Sequence, residues 1–458
     1  MPSHTAPQPT DTNRQQPQEQ PSSHPAHSDW AQRLVNLDAW LETMYQQASA
    51  SVGYAGYGGP VAHWWQNRFR YAGAGFDWRY EGLLIAYAEL YAKTQAQCWL
   101  ERLERASADV MRAQLPNGHY PASRFEINPG TVGTPHEAAA TLGLITASPY
   151  VADSHAALAA AKANLDALIA ALWDDASAGF NDRPGVLSRV PNKLATLAQA
   201  LLAYVQHSGD ESYLPYAQAA LDDVLRFQLG SGRWRGAVHQ YADASLQGDG
   251  RFFPYYNARC VPPLCLAAKM LSAPRYAEAA MAIMDFLQAT MHEDGSWDQI
   301  IYASGALASW PRWLAGSADI LLAFVASERA LPELSLRRLL SYQLASGAFP
   351  TAQGFAQQIR QRPAAALLNH RDVLPVVGWN DKVLRLLATL LPSGQARKQK
   401  LPSAHVHVVD MDIMIAGRPG RFYEDAERML MLRGSEAVYR WNKTDVWAAL
   451  VSPLLEVR

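Results

Sequence analysis

Polar and aromatic side chains recur along this chain in positions from which they could share one site. The run Tyr255-Tyr256-Asn257-Ala258-Arg259 offers phenols, an amide and a guanidinium close together, while Glu81, Glu137 and Asp381 precede other apolar segments. A tyrosine or histidine can remove a proton while an amide and a guanidinium stabilise the negative charge that develops. Paired carboxylates instead supply the acid and the base of a hydrolysis. The residue types therefore indicate proton transfer or hydrolysis.

These residue types suggest individual roles. The candidate catalytic residues, each able to carry a proton, are His239, Tyr256, Glu81 and Glu137. Arg259 is expected to bind an anionic group through its planar fork, with Asn257 holding a ligand oxygen. The other candidate binding residues are rings and carboxylates, namely Trp78, Trp234, Trp297, Trp379, Asp298 and Asp381. The alternative is that the charges neutralise one another, because an unpaired buried charge is costly.

Metal and thiol chemistry are not indicated. His405 and His407 alternate along one expected strand, which is a metal-compatible spacing, but no further ligand stands nearby in the sequence. The chain has 3 cysteines and no CxxC pair, so it suits neither a disulfide framework nor a structural zinc site. We predict buried thiols and neither a metal nor another cofactor.

A repeated phrase indicates the elements that position the candidates. It reads Gln114 to Tyr120, Gln228 to Trp234 and Gln343 to Phe349, each with a Gly-x-aromatic turn. Its key glycines, with looser copies included, are Gly59, Gly118, Gly179, Gly232, Gly295 and Gly347. An amphipathic helix precedes each turn, and a loop and a more apolar helix follow it, which predicts an outer and an inner ring of six helices each. The starts of the inner helices, where the candidates stand, should converge at one end. We expect Gln114, Gln228 and Gln343 to bind backbone groups beside the next repeat.

The phrase from Gln228 to Trp234 resembles the repeat of terpenoid cyclases, and the six hairpins resemble the (α/α)6 barrels of glycosidases, lyases and epimerases. The resemblance implies an all-α (α/α)6 toroid over residues 29–392. It also implies a sugar substrate. In sugar lyases with related barrels Asn, His, Tyr and Arg do the chemistry, and His239, Tyr256, Asn257 and Arg259 look similar. The acid motif of the cyclases, Asp-x-Asp-Asp, has no match on an expected inner helix.

Composition sets the remaining expectations. The chain has 458 residues and a formal charge of -2, which argues against nucleic-acid binding. Residues 1–28 form a Pro- and Gln-rich tail without a secretory signal, and no uninterrupted apolar run is long enough to span a membrane. Residues 393–403 are a polar linker, and the alternation in 404–458 predicts a small β-rich appendage. We expect a cytoplasmic protein that could bind a protein partner through its tail or appendage.

The functional prediction is an enzyme that acts on an oligo- or polysaccharide, with acidic (uronic) sugars favoured. In the first version, of lyase or epimerase type, His239 or Tyr256 removes a proton and Arg259 neutralises the carboxylate. In the second, two carboxylates among Glu81, Glu137, Asp182, Asp298 and Asp381 hydrolyse a glycosidic bond. Two alternatives stay open: a relative of terpenoid cyclases or prenyltransferases, and a non-catalytic toroid that binds a glycan or a protein.

Overall fold

The computed structural model describes residues 27–47, 54–63, 68–72, 74–121, 133–355, 368–392, 402–443 and 450–451. The predicted tail (1–28) and linker (393–403) lie almost wholly outside the described residues. In the described part the helices are α1 (His27–Thr43), α2 (Trp78–Thr94), α3 (Gln97–Ala113), α4 (Ala138–Ala147), α5 (Ser154–Leu172), α6 (Pro191–Ser208), α7 (Leu214–Arg226), α8 (Pro254–Met270), α9 (Pro274–Ala289), α10 (Ser317–Ala326), α11 (Glu333–Ser341) and α12 (Val377–Leu390).

These helices form two concentric rings. The even-numbered helices are the inner ring: each contacts the next along the chain, and α12 contacts α2 and so closes the ring. The odd-numbered helices are the outer ring, each packed on an inner neighbour, with α1 on α12. The predicted (α/α)6 toroid is therefore confirmed.

Burial follows the apolar pattern of each helix. Inner helix α4, AAATLGLITA, is buried along almost its whole length. Outer helix α7 buries Leu221 and Val224 but exposes Asp222. Outer helix α5 begins after a side-chain cap, because the Asp153 carboxylate accepts a hydrogen bond from the Ala156 N–H. Helix α5 is also the one helix among the described residues that is long and apolar enough to cross a membrane, with 33% of that stretch buried. Here it packs on α4 and α6 in the outer ring.

The two ends of the toroid differ in the length of their connections. Short turns join each inner helix to the outer helix that follows, as Gln95 and Ala96 join α2 to α3. Long segments lead from each outer helix to the next inner helix and gather at the other end, which we call the mouth. Short strands lie in these segments: β1 (Tyr45–Gln46), β2 (Gly56–Tyr57), β3 (Gly59–His63), β4 (Arg68–Ala72), β5 (Trp173–Asp174), β6 (Gly179–Phe180), β7 (Arg251–Phe252), β8 (Ile300–Tyr302), β9 (Leu307–Ala308), β10 (Arg312–Trp313), β11 (Ala352–Gln353) and β12 (Leu368–Asn369).

The C-terminal strands form one sheet with a strand of the toroid. They are β13 (Val409–Ile415), β14 (Arg418–Glu424), β15 (Arg428–Arg433), β16 (Glu436–Asn442) and β17 (Leu450–Val451). The sheet order is β12-β13-β14-β15-β16-β17, with β12 parallel to β13 and the other pairs antiparallel. The expected β-rich region is thus observed, and it takes β12 from the segment that leads into α12.

The sheet also packs on α1. The Trp40 indole N–H donates to Glu424 Oε1 at 2.7 Å, and Lys443 Nζ donates to the same oxygen at 3.0 Å and to Thr43 Oγ1 at 3.1 Å. Trp40, Glu424 and Lys443 are buried. Phe422, Met429 and Trp441 of the sheet share a hydrophobic core with Trp40. The appendage is therefore packed into the side of the ring.

The three repeat glutamines tie the turns to the next outer helix, as predicted. Each side-chain amide donates to a glycine carbonyl of its own turn and to a carbonyl of that helix: Gln114 to Gly118 (3.0 Å) and Ala160 (2.8 Å), Gln228 to Gly236 (3.2 Å) and Ala279 (2.9 Å), and Gln343 to Gly347 (2.8 Å) and Arg33 (2.9 Å).

The fourth repeat has a different register from the one expected. Gly118, Gly236 and Gly347 all have positive φ and leave no room for a Cβ against a carbonyl oxygen of the next outer helix, whereas Gly232 has nothing within 4 Å. Gly236 is therefore the repeat glycine. The sequence prediction that Gly232 is the turn glycine of this repeat is wrong by four residues.

Candidate functional site

An aromatic wall lines one side of the mouth. It is built at the starts of α8, α10 and α12 from Tyr255, Tyr256, Trp313 and Trp379, with buried Phe355 behind them. The ring centroids of Trp313 and Trp379 are 4.5 Å apart, and Tyr255 lies 5.1 Å from Trp379 and 5.0 Å from Tyr256. Tyr256 and Trp379 remain partly exposed. Rings held this way offer the flat apolar surface on which the C–H face of a ligand can pack.

A stacked pair stands at the starts of the neighbouring inner helices. Trp78 and His136 lie with centroids 5.8 Å apart and an interplanar angle of 9°, and both are partly exposed. The Trp78 carbonyl accepts a hydrogen bond from Lys382 Nζ at 2.6 Å. The pair therefore connects the rim of the mouth to the charged groups below it.

Glu81 and Arg259 form a buried ion pair inside the ring. Arg259 donates from both terminal nitrogens, at 2.9 Å to Glu81 Oε1 and 2.7 Å to Oε2. Burial by itself would raise the pKa of Glu81, but Arg259, with Lys382 and Arg385, holds this pKa well below its usual range. The guanidinium that was expected to bind a ligand anion is therefore occupied by a carboxylate of the protein, as in the alternative of mutual neutralisation.

Further charges extend this pair into a network. Arg385 reaches Glu81 Oε1 at 3.1 Å, and Asp319 Oδ2 lies 3.5 Å from Arg259. Lys382 Nζ contacts Asp381 Oδ2 at 2.7 Å, and that oxygen also accepts the Gly82 N–H at 3.2 Å. Asp381 is fully buried, and burial, opposed by Lys382, raises its pKa to about 7.

The charges of nearby cations act on His136, which stands at the start of α4. Burial lowers its pKa, and Arg259, Lys193 and Lys382 lower it further against the opposing effect of Glu81, to about 3. Its imidazole is therefore neutral at pH 7. A neutral imidazole that is partly exposed at the mouth can accept a proton, and the cations near it can stabilise an anion.

Glu137 and Asn257 hold backbone N–H groups. Glu137 is buried; Oε1 accepts the Tyr120 N–H at 2.9 Å and Oε2 accepts the Gly133 N–H at 2.6 Å. Asn257 Oδ1 accepts the Val238 N–H at 2.6 Å. Asn380 Oδ1 likewise accepts a hydrogen bond from the Phe349 N–H at 2.7 Å. The residue at an inner-helix start thus anchors the preceding turn, while the cavity expected to be shared by Glu81, Glu137, Asn257 and Arg259 stays a prediction.

His239 and Tyr256 take separate positions in and after the long segment before α8. His239 Nδ1 accepts the Gly250 N–H at 3.0 Å, its ring packs 5.0 Å from Phe252, and burial lowers its pKa. Tyr256 belongs to the aromatic wall, and burial raises its pKa well above the usual range, which disfavours the phenolate. Of these two candidates, Tyr256 lies in the aromatic wall.

The remaining candidates divide between the mouth and the packing around it. Trp78, Trp379 and Asp381 belong to the mouth or to the network below it. Trp297 is buried and its indole N–H donates to the Leu287 carbonyl at 2.8 Å, and Asp298 Oδ1 lies 3.1 Å from His292 Nε2. Trp234 packs on Phe286 of outer helix α9, with centroids 6.5 Å apart. Roles of Trp297, Asp298 and Trp234 in binding a ligand remain predictions.

Three residues of this site, His136, Lys382 and Arg385, were not among the candidates predicted from the sequence. His136 stands beside the chosen Glu137, and Lys382 beside the chosen Asp381, so both carried the signal of an inner-helix start. Arg385 lies one helical turn further along α12 than Asp381, and the spacing of four residues was the signal that it faces the same neighbours. Within the described residues, no group of three or more His, Cys, Asp or Glu residues could hold a metal ion.

Comparisons with known proteins agree on the architecture. No protein-family model and no curated protein sequence matches the chain. A D-mannose isomerase superposes with a TM-score of 0.59 at 13% identity, over 80% of this chain and 99% of that one. Cellobiose 2-epimerase from Spirochaeta thermophila gives 0.58 at 14% identity, over 80% and 97%. An unsaturated glucuronyl hydrolase specific for heparin gives 0.55 at 10% identity, over 82% and 99%. At this identity the likeness concerns the fold, and the chain has the (α/α)6 toroid fold of these sugar-processing enzymes.

Proposed function

We propose that the protein is a carbohydrate-active enzyme that transfers a proton on a sugar bound at the mouth, in an epimerase- or isomerase-type reaction. The observation that supports this most is the stacking of His136 on Trp78 at the mouth, where burial and the charges of Arg259, Lys193 and Lys382 lower the pKa of the imidazole. The aromatic wall would pack on the sugar ring. The folds shared with a D-mannose isomerase and a cellobiose 2-epimerase agree with this chemistry.

The charges around His136 fit removal of a proton next to a carbonyl group. Burial and the cations keep the imidazole neutral, so it has a free nitrogen for that proton, but its low pKa makes it a weak base until a negative charge develops nearby. An enolate that forms beside them supplies the balancing negative charge, so protonation of His136 becomes more favourable as the proton moves. Arg259 would act through this field, because both of its terminal nitrogens already bind Glu81.

Hydrolysis is the second candidate, and one observation favours it. Glu81 has a lowered pKa and Asp381 a pKa raised to about 7, and a hydrolase needs one ionised and one protonated carboxyl group. Against it, both side chains are fully buried, and both oxygens of Glu81 accept hydrogen bonds from Arg259. A sugar would have to displace that pair to reach either carboxyl group.

The two reactions can be separated in deuterated water. The full-length protein is incubated with D-mannose, cellobiose and a galacturonate disaccharide, and proton NMR follows both the loss of C–H signals and the release of monosaccharides. Proton transfer replaces a C–H hydrogen by deuterium. Release of monosaccharides without such exchange would contradict the proposal and favour the hydrolase.

The role of His136 is tested by His136→Asn. Because general base catalysis contributes about 100-fold or more, the exchange rate should fall by at least that factor while the melting temperature stays near that of the parent protein. The matched control is His155→Asn, since His155 is exposed on outer helix α5. Unchanged exchange in His136→Asn would contradict the assignment of the base.

A further inference from the structure

The turn of the fourth repeat is longer than the equivalent turns. Gln114 and Gln343 bind the carbonyl of a glycine four residues later, whereas Gln228 binds that of Gly236, eight residues later. The fourth turn thus holds four extra residues (8 − 4), although it makes the same bond to the next outer helix. Since the other copies form without them, the fold does not require these residues.

The extra length carries Arg233-Trp234-Arg235. Both arginines are exposed, and the Arg233 guanidinium lies 4.3 Å from the centroid of the Trp234 ring. Neither guanidinium forms an ion pair with any carboxylate in the described part of the chain. Stacking on the indole leaves the N–H edge of the Arg233 guanidinium available to a ligand. Two cations without anionic partners therefore stand together on this turn.

These residues and α9 line an open pocket with a volume of about 140 Å³, which we call the rim pocket. Ala282, Phe286 and Ala289 form its apolar side. The one carboxylate in its lining, Asp285, pairs with Arg329 at 2.6 Å and so does not neutralise the arginines of the turn. The pocket thus combines an apolar surface with an uncompensated positive charge.

We propose that the rim pocket binds an acidic sugar unit of a glycan. A uronate has a carboxylate that suits the planar N–H edge of an arginine, and its ring has a C–H face that suits the alanine and phenylalanine side chains of α9. The pocket lies at the outer edge of the mouth end, against outer helix α9, so it would hold a part of the glycan that does not pack on the aromatic wall. The proposal does not depend on the reaction catalysed there.

Titration calorimetry with tri-galacturonate tests the proposal. The titrations use full-length His136→Asn as the parent protein, because the proposed function predicts that this variant binds the sugar with little turnover. Replacing both arginines, as Arg233→Ala with Arg235→Ala, should weaken binding at least about tenfold, because charge-assisted hydrogen bonds are lost. Both side chains are exposed, so the double variant should melt like its parent. Added salt should weaken binding by the parent and have little effect on the double variant.

Two controls make the result specific. Arg275→Ala removes another arginine that lies over an aromatic ring, Tyr276 at 4.8 Å, but Arg275 already pairs with Asp222 at 2.8 Å. It should bind tri-galacturonate as the parent does. Neutral cellotriose should bind the parent more weakly than tri-galacturonate. Full binding by the double variant, equal binding of the two sugars, or no binding of tri-galacturonate by the parent would each overturn the proposal.

Discussion

Asp381 and Glu81 are buried carboxyl groups on adjoining inner helices, and their surroundings shift their pKa values in opposite directions. Glu81 accepts two hydrogen bonds from Arg259, which outweighs its burial. Asp381 has Lys382 as its cationic neighbour, and burial dominates, with Asp319 and Glu81 adding to the rise of its pKa. The number and geometry of cationic contacts decide which carboxyl group stays ionised.

The raised pKa of Asp381 predicts a pH-dependent stability. Its pKa is about 7 in the folded chain and 3.8 as the ordinary value, so between these pH values the folded state keeps a proton that the unfolded state has lost. The contribution of Asp381 to the free energy of unfolding should therefore fall as pH rises through this range, by about 1.4 kcal/mol for each pH unit. Asp381→Asn cannot titrate, so its stability relative to the parent should be higher at pH 8 than at pH 5.

Denaturant unfolding of both proteins at the two pH values measures this change. The control is Asp222→Asn, because Asp222 is exposed on the outer ring and pairs with Arg275 at the surface. Its effect on the free energy of unfolding should differ little between pH 5 and pH 8. If Asp381→Asn behaved in the same way, Asp381 would not retain its proton in the folded state.

At the scale of elements, the repeat glutamines join each turn to the next hairpin. Gln228→Ala removes the bonds to Gly236 and Ala279 and should lower the free energy of unfolding by about 1–3 kcal/mol, since buried carbonyl groups lose their donor. Binding at the mouth should not change. Thermal unfolding measures the loss, with sugar affinity as the second readout.

Gln288→Ala is the matched control for this element. Gln288 also ends an outer helix, but it is exposed and its side-chain oxygen accepts one bond, from Arg329 at 3.3 Å. Its replacement should have a much smaller effect on melting. Equal losses in the two variants, or lost sugar binding by Gln228→Ala without a change in melting, would contradict the structural role of Gln228.

At the scale of the whole molecule, the toroid depends on contact between its first and last inner helices. Gly82 of α2 packs on Asp381 of α12, and a Cβ on Gly82 would overlap the Asp381 carboxylate and lie 2.8 Å from its carbonyl carbon. Gly82→Ala should therefore force α2 and α12 apart and lower the free energy of unfolding by about 1–3 kcal/mol or more.

Gly230→Ala controls for the loss of a glycine, because nothing lies within 4 Å of a Cβ at that position and its φ is not positive. Chemical denaturation of the two variants should show a large loss for Gly82→Ala and little for Gly230→Ala. If Gly82→Ala were as stable as the parent, close contact between α2 and α12 would not be needed to close the ring.

The order of the helices could be predicted from the sequence, because each helix follows from the spacing of apolar residues within a short segment. The apolar spacing predicted the two rings, the repeated glutamines predicted the ties between hairpins, and the alternation after residue 404 predicted strands. Cytoplasmic location and a protein partner for the tail or the sheet stay predictions. Where a turn had a different length, as between Gln228 and Gly236, the sequence pattern led to the wrong glycine.

The sequence by itself determined that helices form two rings and that the inner-helix starts meet, because side-chain periodicity acts within a few residues. Only the tertiary structure decided which charges pair: Arg259 binds Glu81, which is 178 residues away, and so is not free for a ligand. It also decided that the charges of Arg259, Lys193 and Lys382 act on the imidazole of His136, while His239 accepts a backbone N–H. Ion pairs and pKa shifts depend on distances between segments remote in sequence, and those distances are set by the packing of the whole ring.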